Sequence, residues 1–186
     1  MPWKNGGGTT RELAVEPPGA SLQGGFLWRL SAATLEVSGP FSTFPGCDRW
    51  LLLLEGAGFS LDFGPQGRLE VTEPWVPSRF RGDWPAVATL VDGPCTDLGL
   101  IVDARRIQAE VASGPLKLPA SLALSPGTTL LFVARGTLVV PAWGLHLGQD
   151  HLLRVDGGGP ALELVPGYGG AWLVSVALQN RRPEAT

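Results

Sequence analysis

The chain is expected to fold as an all-β protein, and three observations predict it. Its 186 residues include 26 Gly and 17 Pro, which punctuate the chain too often for long helices. Its apolar runs are short, alternate with period two, and end at Gly, Pro or Asp. No segment sustains a helical period. At this length the chain suits one large domain or two small fused ones, and it can bury a real core.

Taken in order, the expected strands begin with Arg11 to Glu16, where Leu13 and Val15 alternate with charged neighbours, and Phe26 to Val37, where Ala33, Leu35 and Val37 alternate with Thr34 and Glu36. Apolar runs at Trp50 to Glu55 and Gly58 to Phe63 flank the turn EGAG, and Arg68 to Val71 follows the turn GPQG. Ala86 to Val91, Leu98 to Val102 and Ile107 to Ala112 are β-branched runs bounded by Asp, Gly or Pro. Beyond them come Leu122 to Leu124, Thr129 to Ala134, Gly136 to Val140, His151 to Arg154, Ala161 to Val165 and Ala171 to Ala177. Such even spacing is that of a sandwich or barrel.

The stretch TLLFVARGTLVVPAWGLHLGQDHLLRVDGGGPALELVP runs strand, glycine turn, strand, Gly148-Gln149-Asp150, strand, glycine turn, strand. This resembles the core of a cupin, a small jelly-roll barrel. The first half holds a comparable unit, RWLLLLEGAGFSLDFGPQGRLEV. Two fused cupin-type barrels are therefore expected, the first over residues 1–112 with a glycine-rich N-terminal segment and the second over 113–186. The boundary is set in ASGPLKLP, Ala112 to Pro119.

Charge and composition exclude several classes. A net charge of −3 without a basic block gives no electrostatic footprint for nucleic acid. The longest apolar runs, such as Trp50 to Leu54, are too short to cross a bilayer, and no cationic segment leads into an apolar one. A soluble, cytoplasmic protein without membrane partners is expected. Cys47 and Cys95 read as reduced thiols or small core residues. The sequence is compatible with a homodimer and does not fix the oligomer.

Many cupins hold a metal with three histidines and a glutamate, because a first-row ion needs several converging nitrogen and oxygen donors. Here only His146 and His151 are present, five residues apart across the Gly148 turn, and no cofactor or metal is expected. A hydrolase elbow of the G-x-S-x-G kind is missing. Gly6 to Gly8 follows no strand and lacks the order of a phosphate loop. No catalytic residue is assigned.

A different chemistry emerges from the cations. If odd positions of Phe26 to Val37 face the barrel interior, Arg29 and Ser31 face inward, and in Arg11 to Glu16 the apolar Leu13 and Val15 share their face with Arg11. A bulge near Ser31 would reverse the first of these assignments. An internal arginine keeps its charge and must meet an anion. Asp48, Asp62 or Asp97 would close an internal ion pair; a small acidic ligand is the other answer, since guanidinium forks grip carboxylates and glycine lets backbone N–H groups approach. Gly39 to Arg49, GPFSTFPGCDR, reads either as a connection capping the barrel end or as the side wall of a pocket in which Ser42 and Asp48 make polar contacts.

Three motifs in order, PWKNGGGTTRELA, FLWRLSAATLEVSGPFSTFPGCDRWLLLLEGAGFSL and DGPCTDLGLIVDAR, resemble the HutD/Ves family over roughly the first 110 residues. The resemblance implies a bicupin associated with histidine utilisation. It also implies a non-catalytic role in tuning that pathway through a small acid such as urocanate or formylglutamate. The candidate ligand contacts are Trp3, Lys4, Asn5, Arg11, Arg29, Ser31, Phe41, Ser42, Asp48 and Arg49. Gly99 stands where the family usually has asparagine. The alternative is a metal-independent isomerase or lyase acting on a small acid, with Lys4, Glu12 or Asp48 as acid or base.

Overall fold

In a computed structural model the described residues are 2–3, 6–21 and 25–181, and they are almost entirely strand. The chain divides into two compact units, residues 1–107 and 108–186. The expected boundary segment is not a linker: β10 (Ile107–Leu116) carries strand through most of it, and the division falls at the start of that strand.

The first unit contains two sheets. One has five strands in the order β1 (Gly8–Glu16), β2 (Trp28–Leu35), β9 (Cys95–Asp103), β4 (Cys47–Glu55), β7 (Ser78–Arg81). The other has four, β3 (Gly39–Phe41), β8 (Ala86–Leu90), β5 (Phe59–Asp62), β6 (Arg68–Val71). One core joins their facing surfaces: Leu35, Leu51, Leu53, Phe80 and Cys95 from the first sheet meet Phe59, Leu61, Val71, Ala86 and Ala88 from the second. The opposite face of the five-stranded sheet is also buried, through Trp28, Leu30, Trp50, Leu52, Leu98 and Leu100. Strands apolar on both faces read as continuous runs, which is why Trp50 to Leu54 shows no alternation.

The opening glycines fold back on the first sheet. Trp3 donates its backbone N–H to Gly8 O at 2.9 Å and Gly6 returns one to Trp3 O at 3.0 Å. A Cβ on Gly8 would lie 2.2 Å from Thr34 O, so only glycine permits the approach of β1 to β2 here. Trp3 then packs on the core with its indole N–H on Thr10 Oγ1 at 2.7 Å.

The second unit is built on β12 (Thr128–Val140) and β15 (Leu162–Asn180), which pair with each other and carry β10, β11 (Ala120–Leu122), β13 (Leu145–Leu147) and β14 (Leu152–Asp156) at their sides. Each long strand was expected as two. Gly136 pairs with Ala171, beside Gly170; the two glycines have φ of 82° and 83°, and a Cβ on Gly136 would meet Gly170 O at 2.3 Å. Strand continues through both positions, and the ladder shifts register there, between Gly136 and Leu138.

Candidate functional site

The inner face of the five-stranded sheet is a grid that the register defines. Its first row runs Val15, Arg29, Ile101, Arg49, Phe80; its second Glu12, Ser31, Gly99, Leu51, Ser78; its third Thr10, Ala33, Asp97, Leu53. Gly99 occupies the centre. Around its bare backbone stand Arg29 and Arg49 on one side, Ser31 across the sheet, and Asp97 one pleat repeat further along β9. A Cβ at Gly99 would come 3.4 Å from Asp97 Oδ1 and 3.5 Å from Leu51 Cδ2, ordinary packing distances.

Both arginines are buried, Arg29 at 5% exposure and Arg49 at 7%. Arg29 donates Nε–H to Glu12 Oε2 at 2.8 Å and a terminal N–H to Ser31 Oγ at 3.3 Å. Its partner is therefore a half-exposed glutamate on the neighbouring strand. None of the three aspartates expected from the sequence takes that place.

Arg49 lies in an aromatic cage, its guanidinium carbon 4.6 Å from the Phe41 ring centre, 5.0 Å from Phe44 and 5.1 Å from Phe80. It donates to the backbone carbonyl of Ser42 at 2.7 Å, while its buried Nε has no partner. Desolvation lowers its pKa to about 10, so it stays charged at neutral pH.

Asp97 is the other orphan. Burial pushes its carboxyl up to about 7 against the pull of Arg49, and its buried Oδ2 lacks a partner. The two residues feel each other without closing an ion pair within 4 Å. Such unsatisfied buried groups are rare in folded proteins and call for an explanation.

Two openings flank the cage. A cleft of about 720 Å³ is lined by Phe26, Phe44, Cys47, Arg81, Asp83 and Arg105, and shares Phe44 with the cage. A smaller one of about 200 Å³ is lined by Trp3, Leu35, Pro40 and Phe41, and shares Phe41.

Several expected contacts go elsewhere. Arg11 is exposed and lies opposite Ala32 on the outer face, because a bulge between Glu12 and Ala14 breaks the alternation that would have grouped it with Leu13 and Val15. Asp48 also belongs to the outer face, ion-paired to Arg79 at 2.8 Å, and Arg79 stacks on Trp50. Ser42 is exposed and contributes its carbonyl. Lys4 and Asn5 lie outside the described residues.

The sequence marks Asp97 only as an arginine partner and Phe44 only as part of the Gly39–Arg49 cap or pocket wall, and it gives no sign of Phe80 or of the Arg29–Glu12 pair. Asp97 carries a usable signal, since Cys95, Asp97, Gly99 and Ile101 share one parity, but the expected strand begins at Leu98, one residue beyond it. In the second unit His146 is exposed on β13, and His151 Nδ1 accepts a bond from Gly148 N–H at 3.2 Å. No group of three or more potential metal ligands converges among the described residues.

The family model for HutD matches residues 1–171. The chain belongs to the HutD family. An uncharacterised 21.2 kDa protein in the hutC 3′ region of Pseudomonas putida is 36% identical over 169 residues, covering 88% of this chain and 85% of that one. Protein Ves of Citrobacter koseri is 32% identical over 157 residues, 84% of this chain and 74% of its own. The solved structure of HutD from Pseudomonas fluorescens superposes with a TM-score of 0.82 at 31% identity, covering 98% of this chain and 94% of that one. A cupin 2 conserved barrel domain protein from Leptotrichia buccalis gives a TM-score of 0.59 at 8% identity over 92% of this chain and 89% of its own, a likeness of fold alone. This HutD-family chain is accordingly cupin-type, with open sheets in each unit.

Proposed function

We propose that the first unit of this HutD-family protein binds a small carboxylate on the floor around Gly99, and that binding without turnover is how it tunes histidine utilisation. The observation that carries the reading is the pair of buried arginines, Arg29 and Arg49, flanking a bare backbone where one guanidinium nitrogen is unsatisfied. Arg49 keeps its charge at neutral pH, and Asp97, the buried carboxyl that pulls on it, is itself partly neutralised. A ligand carboxylate would supply the missing anion. The setting in histidine metabolism rests on the names of the relatives, one in a hutC region and one called HutD.

The test is a thermal-stability screen against urocanate, N-formylglutamate and simple mono- and dicarboxylates, cytoplasmic metabolites of the expected class. A ligand at about 100 times its Kd adds about 2.7 kcal/mol to stability. At least one acid should stabilise the wild type and fail to stabilise Arg29→Ala. An unchanged response in that variant would remove the proposal.

One observation favours turnover as a second reading. A carboxyl tuned to about 7 beside a ligand floor has the properties of a general acid or base. Asp97 takes the place of Glu12 and Asp48 as the candidate, since Glu12 is held by Arg29 and Asp48 by Arg79, while Lys4 lies outside the described residues. Proton NMR of each stabilising acid incubated with protein in D2O separates the two readings: exchange or product that Asp97→Asn abolishes supports an isomerase or lyase.

A further inference from the structure

Two buried atoms of opposite hydrogen-bonding character lie on the same inner face without partners, Arg49 Nε as a donor and Asp97 Oδ2 as a carboxyl oxygen. They sit on either side of Gly99, the one position of the central row that presents neither a polar nor an apolar side chain. Strand rise puts Asp97 about 7 Å from Gly99 along β9. A simple anion satisfies the arginine and leaves the carboxyl facing a like charge. A molecule with an acceptor at one end and a donor at the other satisfies both.

We infer that the ligand of the first unit is bifunctional: a small acid whose carboxylate meets Arg29 and Arg49 and whose far end carries a neutral N–H or O–H that donates to Asp97 Oδ2 across the bare backbone of Gly99. The inference rests on the carboxylate reading above and specifies the chemical class of its ligand. Gly99 gains a role in it. A methyl group there would stand 3.4 Å from Asp97 Oδ1 and 3.5 Å from Leu51 Cδ2, occupying space that the ligand would cross. Ser31, with its hydroxyl already on Arg29, borders that space from β2. Asp97 also supplies discrimination, because a site with a buried acceptor rejects an analogue that lacks the matching donor far more strongly than an apolar pocket rejects a missing methylene.

The experiment compares two acids of matched shape, 3-(pyrrol-2-yl)propanoate and 3-(furan-2-yl)propanoate, by calorimetric titration at pH 8.5, where Asp97 is ionised and only accepts. The pyrrole acid presents an N–H where the furan presents a ring oxygen. Wild type should bind the pyrrole acid at least tenfold more tightly. Asp97→Leu should bind both about equally, and Gly99→Ala should weaken both. Should Asp97→Leu fail to fold, Asp97→Asn and the wild-type comparison carry the test. Equal wild-type affinities, with both lost in Arg29→Ala, would overturn the inference and leave the carboxylate reading standing. Binding of neither acid by wild type would overturn both.

Discussion

The two units of this chain solve the same packing problem with different interiors. In the second, the core of Leu131, Val133, Leu138, Val140, Leu162, Leu164, Ala171 and Leu173 is apolar throughout. Its buried polar residues among those described, Ser125 and Thr129, satisfy each other and the backbone: Ser125 N–H donates to Thr129 Oγ1 and Ser125 Oγ to Leu178 O. The first unit buries Arg29, Ser31, Arg49 and Asp97 on a face that also supplies its core. Cupin-type strands therefore pack without an internal charge. Burying charge costs stability unless it is paired, and among its described residues the first unit leaves two such atoms unpaired. On the proposed reading, the difference serves ligand recognition rather than folding.

Substitutions can sharpen that contrast. The largest effect is expected in the apolar unit, where Leu131→Ala should cost about 2–5 kcal/mol in denaturant unfolding, as deletions in a dry core do. The corresponding apolar change in the first unit should act in the opposite direction: Asp97→Leu is expected to be neutral or to stabilise the free protein, by up to about 4 kcal/mol. A loss comparable to that of Leu131→Ala would mean that the carboxyl holds the fold together.

The same residue makes a prediction in pH. Asp97 titrates at about 7 in the folded protein, against about 4 in an unfolded chain. Between those values the native state holds a proton that the unfolded state has released. Its contribution to stability therefore falls as pH rises from about 4 to about 7, by up to about 4 kcal/mol, and is level above. Melting curves of wild type and Asp97→Asn should converge at acid pH and separate toward neutrality, the variant being the more stable. Parallel curves would refute the shift.

Smaller effects are expected at the edges of the site. Arg29→Ala should destabilise the free protein by about 1–3 kcal/mol, since it loses a charge-assisted bond to a half-exposed glutamate. Gly8→Ala should cost about 1–3 kcal/mol because its methyl would collide with a strand carbonyl. Thermal midpoints of the two variants check both.

Much of the fold could be read in the sequence because turn chemistry and period-two runs are local. Arg68–Val71 coincides with its expected bounds. What could not be read was set by distant partners. β3 and β7 were missed because Gly39–Phe41 and Ser78–Arg81 show little alternation and become strands only by pairing with β8 and β4. Gly136 and Gly170 read as turns because each, taken alone, is a turn residue; only the pairing of β12 with β15 carries strand through them.

The site divides along the same line. Arg29 and Ser31 could be placed by alternation. Arg11 could not, because the bulge in β1 has no sequence mark, and the cage around Arg49 assembles from residues up to 39 positions apart, Phe41 to Phe80.

The most direct measurement is the NMR signal of the arginine Nε–H groups, in protein labelled at arginine nitrogen, during titration with the acid that stabilises it most. Arg49 Nε, buried and unpartnered in the free protein, should move on binding, with Arg29 Nε moving beside it. Saturation with both signals unmoved would show that the acid binds elsewhere and would contradict the account.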